Sequence, residues 1–212
     1  MVKENHGIDV EFDQDMSDPK VYKLWQDGNT SGIFQFESQG MTNFMKELKP
    51  DCLEDLIAGV SLYRPGPMDQ IPRYIRGKQN PGHNEYTHPS LEPILNVTYG
   101  CMVYQEQVMQ IVRDLAGYSL GRADLVRRAM GKKKLDVMAK EREVFIHGQV
   151  DENGNIEVPG CVRNGIDEVS ANKIFDEMAE FAKYAFNKSH AACYAVVSYR
   201  TAYLKAYYPA EF

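Results

Sequence analysis

Apolar positions recur at helical spacing along most of this chain, and residues that start or stop helices separate the apolar stretches. Ser17 and Asp18 precede Pro19, and a capping side chain followed by proline is typical of a first helical turn. Ser38 can cap a second helix. The predicted inner face of that helix consists of Met41, Phe44, Met45 and Leu48. The pattern therefore predicts two helices early in the chain.

Helical patterning continues to the end of the chain with few interruptions. The predicted spans are residues 53–62, 104–116, 122–129, 136–145 and 167–183, and a final helix that Ser189 caps and that runs to about Tyr207. Residues 33–36 are a short apolar run that fits a strand or a buried turn. Residues 77–90 contain glycines and prolines, which predicts a surface loop. The turn Asp-Glu-Asn-Gly at 151–154 predicts a small β-ribbon near residues 148–160.

These elements predict a mainly α-helical fold, a multi-helix domain with a small β-hairpin. We expect residues 1–16 to be a lead-in and residues 17–212 to form a single helical domain. The hydrophobic content of 43% suits a globular protein. No apolar run reaches the roughly 18 residues of a membrane span, and the first residues lack the apolar core of a signal peptide. We therefore expect a cytoplasmic protein that does not contact a membrane, with four buried free cysteines.

Charge is segregated along the sequence, although the chain is acidic overall with a net charge of −6. Acidic residues outnumber basic ones heavily in residues 4–55, whereas residues 183–210 contain no acidic residue. A protein that presents one surface to phosphates and another to solvent or a partner has this pattern.

Positive charge is concentrated in residues 120–134. The basic residues there are Arg122, Arg127, Arg128, Lys132, Lys133 and Lys134, and Asp124 is the one acid. A solvated basic helix face is one interpretation. An anion site is the other, because arginine forks grip phosphate oxygens in pairs and lysines add charge. We expect Gly131 to open the helix and to expose backbone amides to the anion.

The polar segment at residues 186–190 is a second candidate anion site. Ser189 can cap the final helix, and a helix start binds anions through its free amides and its dipole. Lys188 adds positive charge at the same place. His190 fits either this site or a purely structural role.

Residues 104–107 are a candidate base-binding segment. Tyr104 can stack on a base and Gln105 can hydrogen-bond to it, or both can belong to an ordinary amphipathic helix. Asp13 and Asp15 have the spacing of a metal-binding pair, but no apolar strand holds them rigid. No metal site is predicted.

Six segments, taken in order, carry a resemblance to a known family. They are FQFESQGM at 34–41, YRPGP at 63–67, YQEQVM at 104–109, RRAMGKK at 127–133, FNKSH at 186–190 and YPAEF at 208–212. Over nearly its whole length the chain resembles the fingers region of the alpha subunit of bacterial DNA polymerase III, a C-family replicative polymerase.

The resemblance implies a function in DNA-templated phosphoryl transfer from a deoxynucleoside triphosphate to a primer end. The partners it implies are a DNA primer-template, a deoxynucleoside triphosphate and the other domains and subunits of the replicative polymerase. In that family Mg²⁺ is bound by carboxylates of the palm, which precedes this region, so no catalytic or metal-binding residue is expected here. Residues 1–16 would lead in from the palm. The chain would be a piece of a larger polymerase and inactive by itself.

The resemblance also implies roles for individual residues. Arg127 and Arg128 would hold the incoming triphosphate, and Lys132 and Lys133 would add charge for phosphates. The residues expected at the nascent base pair are Tyr63, Arg64, Pro65, Gly66, Tyr104 and Gln105. The polar segment at residues 186–190 is expected to face the same nucleotide-binding cleft. The residues concerned are Asn187, Lys188, Ser189 and His190.

Two other functions fit the sequence. Residues 115–123 faintly resemble a helix-hairpin-helix, so the chain could be a helical DNA-binding module without enzymatic activity. Such a module would bind duplex DNA alone and would ignore nucleotides. A helical scaffold whose basic patches dock an acidic partner is the third interpretation.

Overall fold

The computed structural model describes residues 1–12, 14–132 and 135–212. The helices among them are α1 (Val2–His6), α2 (Pro19–Gln26), α3 (Gln39–Leu48), α4 (Leu53–Leu62), α5 (Ile71–Gln79), α6 (Glu92–Leu95), α7 (Gln105–Ala116), α8 (Leu120–Gly131), α9 (Leu135–His147), α10 (Glu168–Phe181) and α11 (Lys188–Tyr207). Short 3₁₀ turns cover Pro67–Gln70, Pro89–Leu91 and Asn96–Thr98. The strands β1 (Gln149–Val150) and β2 (Ile156–Val158) pair antiparallel. The predicted mainly α-helical fold with a small β-hairpin is confirmed.

The fold consists of two compact units. The first contains residues 1–64 and 188–212, and the second contains residues 65–187. The chain therefore passes from one unit to the other twice, within the segments 63–67 and 186–190 that the sequence singles out. The predicted division into a lead-in and one helical domain stays a prediction.

The first unit is built around aromatic and aliphatic side chains from α2, α3, α4 and α11. Trp25 packs edge-on against Phe36, with ring centroids 5.6 Å apart, and both are fully buried. Tyr199 of α11 contacts Tyr22 and accepts a hydrogen bond from the backbone N–H of Asp18 over 3.0 Å. These contacts join the final helix to the first part of the chain.

The second unit has its own apolar core. Helix α7 packs on α6, α8 and α9, and α9 packs on α10. The fully buried side chains at its centre include Val108, Ile111, Val112, Phe145, Ile174 and Met178. This core fixes the positions of α7 and α8, which carry several of the predicted site residues.

Several local predictions are confirmed. Asp18 caps α2 by accepting a hydrogen bond from Lys20 N–H, and Pro19 begins the helix. Ser38 caps α3 in the same way. The four predicted inner residues of α3 are buried. Residues 33–36 form a turn in which Ile33 and Phe36 are buried, which settles the choice between strand and turn.

Three local predictions are wrong. Residues 77–90 are not all loop, because α5 continues through Gly77 to Gln79. Gly131 does not open a helix, since it is the last residue of α8. Ser189 is not a cap, because α11 begins at Lys188 and places Ser189 in its first turn.

Within the described ranges, no helix combines the length and the apolar character that crossing a membrane requires.

Candidate functional site

The two arginines of α8 share one carboxylate. Arg127 donates from Nε (3.1 Å) and Nη2 (2.7 Å) to Asp124 Oδ1. Arg128 Nη2 lies 2.8 Å from Asp124 Oδ2. Each carboxylate oxygen therefore serves one guanidinium, and the cluster keeps a net positive charge.

Helical geometry explains this pairing. Asp124, Arg127 and Arg128 are three and four residues apart, the spacings at which side chains on one helix meet. Ser119 caps the helix by accepting the N–H of Arg122 over 3.3 Å, which fixes where this face begins. The hydrogen bonds from Arg127, followed by those from Arg128, hold the pKa of Asp124 below its usual value.

The two arginines differ in exposure. The Arg127 side chain is 20% exposed and the Arg128 side chain is 61% exposed. Within the described residues Arg128 has no partner other than Asp124, whereas Arg127 has a further one. Arg128 is thus the guanidinium that a ligand can reach, and Arg127 is the one held in a fixed position.

The further partner of Arg127 is Gln105 at the start of α7. Arg127 Nη1 donates to Gln105 Oε1 over 3.1 Å, and Gln105 Nε2 donates to Ala185 C=O over 3.0 Å. The backbone N–H of Gln105 also donates to Phe186 C=O over 2.9 Å, beside a bridge between Tyr104 and Phe186. The start of α7, the middle of α8 and the segment 185–186 therefore form one hydrogen-bonded group.

Asn187 extends this group. Its Nδ2 donates to Glu106 Oε1 over 2.8 Å, so it also contacts the start of α7. Lys132 is exposed and follows the end of α8, four residues beyond Arg128. Lys133 lies outside the described residues. The structure thus brings together parts of three segments that the sequence singled out separately.

Gly66 borders a separate cavity of about 380 Å³ in the second unit. Its φ of +100° suits glycine, and a Cβ there would lie only 2.4 Å from Tyr184 Cγ. Charged residues also line the cavity, including Arg73 and Glu177. Pro65 is exposed next to Gly66. The sequence reasoning missed Tyr184, although it immediately precedes the segment 185–187.

The first unit holds Tyr63 and Arg64. The Tyr63 ring stacks on Phe44 with centroids 6.3 Å apart, and its hydroxyl fills the space where a Cβ on Gly40 would stand. Arg64 Nε donates to Ser61 C=O over 3.2 Å, and burial lowers the pKa of Arg64.

The first unit also holds the last three predicted residues. Lys188 Nζ lies 3.0 Å from a carboxylate oxygen of Glu54. The exposed His190 lies against Tyr194, with ring centroids 4.5 Å apart. Ser189 is exposed in the first turn of α11.

The helix-hairpin-helix alternative can be compared with the turn between α7 and α8. Such a hairpin binds phosphate through backbone N–H groups at its turn. Gly117 N–H instead donates to Arg113 C=O over 2.9 Å. A Cβ on Gly117 would lie 2.6 Å from Pro159 Cδ, so Pro159 covers this glycine. The turn does not favour the non-enzymatic DNA-binding interpretation.

One group of possible metal ligands occurs in the described part of the chain, namely Asp51, Cys52 and Asp55. The Asp55 carboxylate accepts hydrogen bonds from Asp51 N–H and Cys52 Sγ–H at the start of α4. These hydrogen bonds explain why the three side chains lie together. The thiol also makes it a poor match for Mg²⁺, which prefers oxygen ligands.

Comparison with known proteins identifies the family. Residues 1–153 match the family described as "Bacterial DNA polymerase III alpha subunit finger domain". The chain therefore belongs to the bacterial DNA polymerase III alpha subunit finger-domain family.

Similar full-length proteins carry the name "DNA polymerase III subunit alpha". The protein from Thermus aquaticus is 50% identical over 218 residues, and the one from Aquifex aeolicus is 46% identical over 215 residues; both matches cover 100% of this chain. The protein from Xylella fastidiosa (strain 9a5c) is 53% identical over 198 residues, or 93% of this chain. The chain spans only 17%, 18% and 16% of these relatives, respectively.

Proposed function

We propose that this chain is the fingers portion of a DNA-directed DNA polymerase, a nucleotidyltransferase that acts in bacterial DNA replication. In this role it binds the triphosphate of the incoming deoxynucleotide and contacts the primer-template. The family match supports the proposal, and the observation that carries it is the cluster formed by Asp124, Arg127 and Arg128. An activity on chromosomal DNA places the protein in the bacterial cytoplasm, among the other domains and subunits of the polymerase.

Charge neutralisation is the task we assign to this cluster. Phosphoryl transfer develops negative charge on phosphate oxygens, and catalysis depends largely on positioning and electrostatic stabilisation. Arg128 has N–H donors that point to no described partner, and Lys132 adds charge four residues away. A triphosphate can therefore bind Arg128 while Asp124 still holds Arg127.

Arg127 has a positioning role in this proposal as well as a charge role. Asp124 and Gln105 together fix three of its side-chain nitrogens. A guanidinium held in this way loses little conformational entropy when the substrate binds. More of its interaction free energy with the phosphate therefore contributes to affinity. We infer that Asn187, Lys188, Ser189 and His190 face the same substrate, and that Tyr63, Arg64, Pro65, Gly66 and Tyr104 border the nascent base pair.

The metal chemistry belongs elsewhere in this proposal. Two Mg²⁺ ions, held by palm carboxylates of the complete enzyme, would activate the primer hydroxyl and stabilise the leaving oxygen. The group Asp51, Cys52 and Asp55 does not fit that ion, so no step of the reaction is assigned to it.

Steady-state kinetics of a complete alpha subunit that carries this chain test the proposal. Arg127→Ala should raise the KM for deoxynucleotides or lower kcat by about tenfold or more. The substitution removes one of the two positive charges of the cluster and leaves Asp124 to draw Arg128 away from the phosphate. Arg113→Ala removes one exposed arginine outside the cluster and is the matched control. Normal kcat/KM in Arg127→Ala, with the control also normal, would refute the assignment.

A further inference from the structure

A second basic cavity lies in the same unit, away from the α8 arginines. It has a volume of about 470 Å³ and lies between α5, the loop after it and Tyr99. This volume is within the range of small-molecule sites. None of its lining residues belongs to the proposed triphosphate site.

One face of α5 forms the wall of this cavity. Arg73, Arg76, Gly77 and Asn80 are spaced at three, four and seven residues, so they share a face of the helix. The buried Tyr74 and Ile75 lie on the opposite side and attach the helix to the core. The polar face is thus held in place by apolar packing behind it.

The charge of the cavity is positive, and its arginines are available. Within the described residues, the Arg76 side chain has no hydrogen-bond or ion-pair partner. Arg73 donates only to the backbone carbonyl of Glu85, over 3.0 Å. Glu85 is the one acidic residue of the lining, against two arginines and His83. The carbonyl at the end of α5, Arg76 C=O, already accepts hydrogen bonds from the backbone and side-chain nitrogens of Asn80.

Gly77 creates the floor of the cavity. A Cβ on this residue would lie 2.4 Å from Tyr99 Cβ and 2.8 Å from Asn84 Oδ1. Only glycine lets Tyr99 and Asn84 approach the helix this closely. The loop glycine that the sequence predicted is therefore a helical glycine with a packing role.

Asn84 contributes an unsatisfied acceptor. Its Oδ1 is buried and has no hydrogen-bond partner among the described residues. The atom is enclosed against Gly77, so it can serve a ligand only when the Asn84 amide turns towards the cavity. A buried polar atom without a partner is costly, so a ligand that carries a hydrogen-bond donor would favour this turn. A bare phosphate dianion supplies no donor, whereas a nucleoside attached to it supplies amino and hydroxyl hydrogens.

We propose that this cavity binds a nucleotide through its terminal phosphomonoester, with Arg73 and Arg76 on the phosphate. The Asn84 amide turns towards the ligand, and its Oδ1 accepts a hydrogen bond from the nucleoside. A phosphomonoester carries a charge of about −1.5 to −2 at neutral pH, which matches two guanidinium groups better than the single charge of a backbone phosphodiester does. The ligand is either a free nucleotide or the 5′-phosphorylated end of a strand. The site is additional to the proposed triphosphate site.

Hydrogen–deuterium exchange of the full-length polypeptide tests this site without a measurement of polymerase activity. Deoxyadenosine 5′-monophosphate (dAMP) at millimolar concentration should slow amide exchange in residues 73–86. Deoxyadenosine, which lacks the phosphate, should not. Equal protection by both compounds, or protection by neither dAMP nor a phosphorylated strand, would overturn the proposal.

Two variants locate the contact. Arg76→Ala, at an exposed position, should weaken binding of dAMP about tenfold or more, since a charge-assisted hydrogen bond is lost. Arg113→Ala, which removes the same charge elsewhere, should leave binding unchanged. Asn84→Asp keeps the side-chain size but adds a carboxylate, and should weaken binding by repulsion. An unchanged affinity in Arg76→Ala, with a normal melting temperature, would overturn the proposal.

Two short oligonucleotides of one sequence distinguish the sources of the phosphate. If the 5′-phosphorylated strand protects residues 73–86 and the 5′-hydroxyl strand does not, the phosphomonoester assignment is supported and a strand end is a ligand. Protection by dAMP alone supports the assignment with a free nucleotide as ligand. Equal protection by both strands would mean recognition of the phosphodiester backbone and would overturn the assignment.

Discussion

Arg127 Nη1 donates a hydrogen bond to Gln105 Oε1 over 3.1 Å, and this contact joins two helices whose contributing residues are far apart in the chain. The same Gln105 side chain donates from Nε2 to Ala185 C=O. One amide therefore connects the arginine of α8 to the segment that leads into α11. The orientation of Arg127 depends on a residue that the sequence suggested only as a contact to a base.

Two substitutions of Gln105 should distinguish the effect of its hydrogen bond with Arg127 from that of its hydrogen bond with Ala185. Gln105→Ala loses both, so we expect a loss of about 1–2 kcal/mol in the free energy of unfolding and a severalfold higher KM for deoxynucleotides. Gln105→Glu keeps an acceptor for Arg127 but loses the donor to Ala185, so its KM should stay closer to that of the unchanged protein. Thermal melting and steady-state kinetics measure the two effects. An unaltered KM in Gln105→Ala would show that Arg127 needs no such support.

Gly66 and Gly82 form a matched pair for a test of the Tyr184 contact. Both have positive φ, +100° and +94°, but a Cβ on Gly82 meets nothing within 4 Å whereas one on Gly66 meets the Tyr184 ring. We expect Gly82→Ala to lower the free energy of unfolding by about 1 kcal/mol and Gly66→Ala by about 3 kcal/mol.

The added substitution Tyr184→Ala should recover part of the loss in Gly66→Ala, because it removes the overlap. Chemical denaturation of Gly82→Ala, Gly66→Ala, Tyr184→Ala and the double variant Gly66→Ala/Tyr184→Ala measures this coupling. Equal losses in the two glycine variants would contradict a specific contact between residue 66 and Tyr184.

The four cysteines should divide into two classes by reactivity. Burial raises the pKa of the Cys101 thiol to about 11 and that of Cys161 to about 12. The expectation that all four cysteines are buried is wrong for Cys52 and Cys193, which are exposed. Because the thiolate is the reactive form, a thiol reagent at pH 8 should label Cys193 quickly and the buried pair only on unfolding. Peptide mass spectrometry reads out each site. Fast labelling of Cys101 in the folded protein would contradict its burial.

The same pKa shifts give a sign for the effect of pH on stability. The folded state binds the thiol proton of Cys101 more tightly than the unfolded state does. The contribution of Cys101 to the free energy of unfolding is therefore fully present below about pH 9. It declines as the pH rises from about 9 towards 11. The variant Cys101→Ala should show a smaller loss of stability across that window in pH-dependent denaturation, and an equal loss would contradict the shift.

The purified 212-residue chain should extend no primer. The proposed reaction needs metal-bound carboxylates. The one candidate ligand group found in residues 1–12, 14–132 and 135–212 includes a thiol and is held together by its own hydrogen bonds. A primer-extension assay with Mg²⁺ and all four deoxynucleotides checks this, with a complete alpha subunit as the positive control. Measurable extension by the chain alone would place catalytic groups within it.

The starts of α2 and α3 were predictable because their causes are local. Asp18 and Ser38 cap helices through hydrogen bonds to residues two or three positions away, which a sequence displays directly. The pairing of Asp124 with Arg127 and Arg128 was equally available from helical spacing.

The errors arose where distant residues decide the local structure. Gly77 looks like a loop residue, but it lies within α5. It is glycine because Tyr99 and Asn84 occupy the space where a side chain would stand. The link between Gln105 and Arg127 depends on how α7 packs on α8, and no local pattern encodes it. The segment 186–190 was recognised as polar, yet the contacts of Phe186 and Asn187 to the start of α7 could be seen only in the folded unit.

The two crossings of the chain, at residues 64–65 and 187–188, also determine the order in which the parts can fold on the ribosome. The unit of residues 65–187 is one continuous stretch, so all its members emerge before α11 is made. The other unit cannot be finished until that last helix arrives with Tyr199 to cover Tyr22. During translation the early helices must therefore wait with exposed apolar surface, and a stall before residue 188 would leave them open to chaperones or to aggregation.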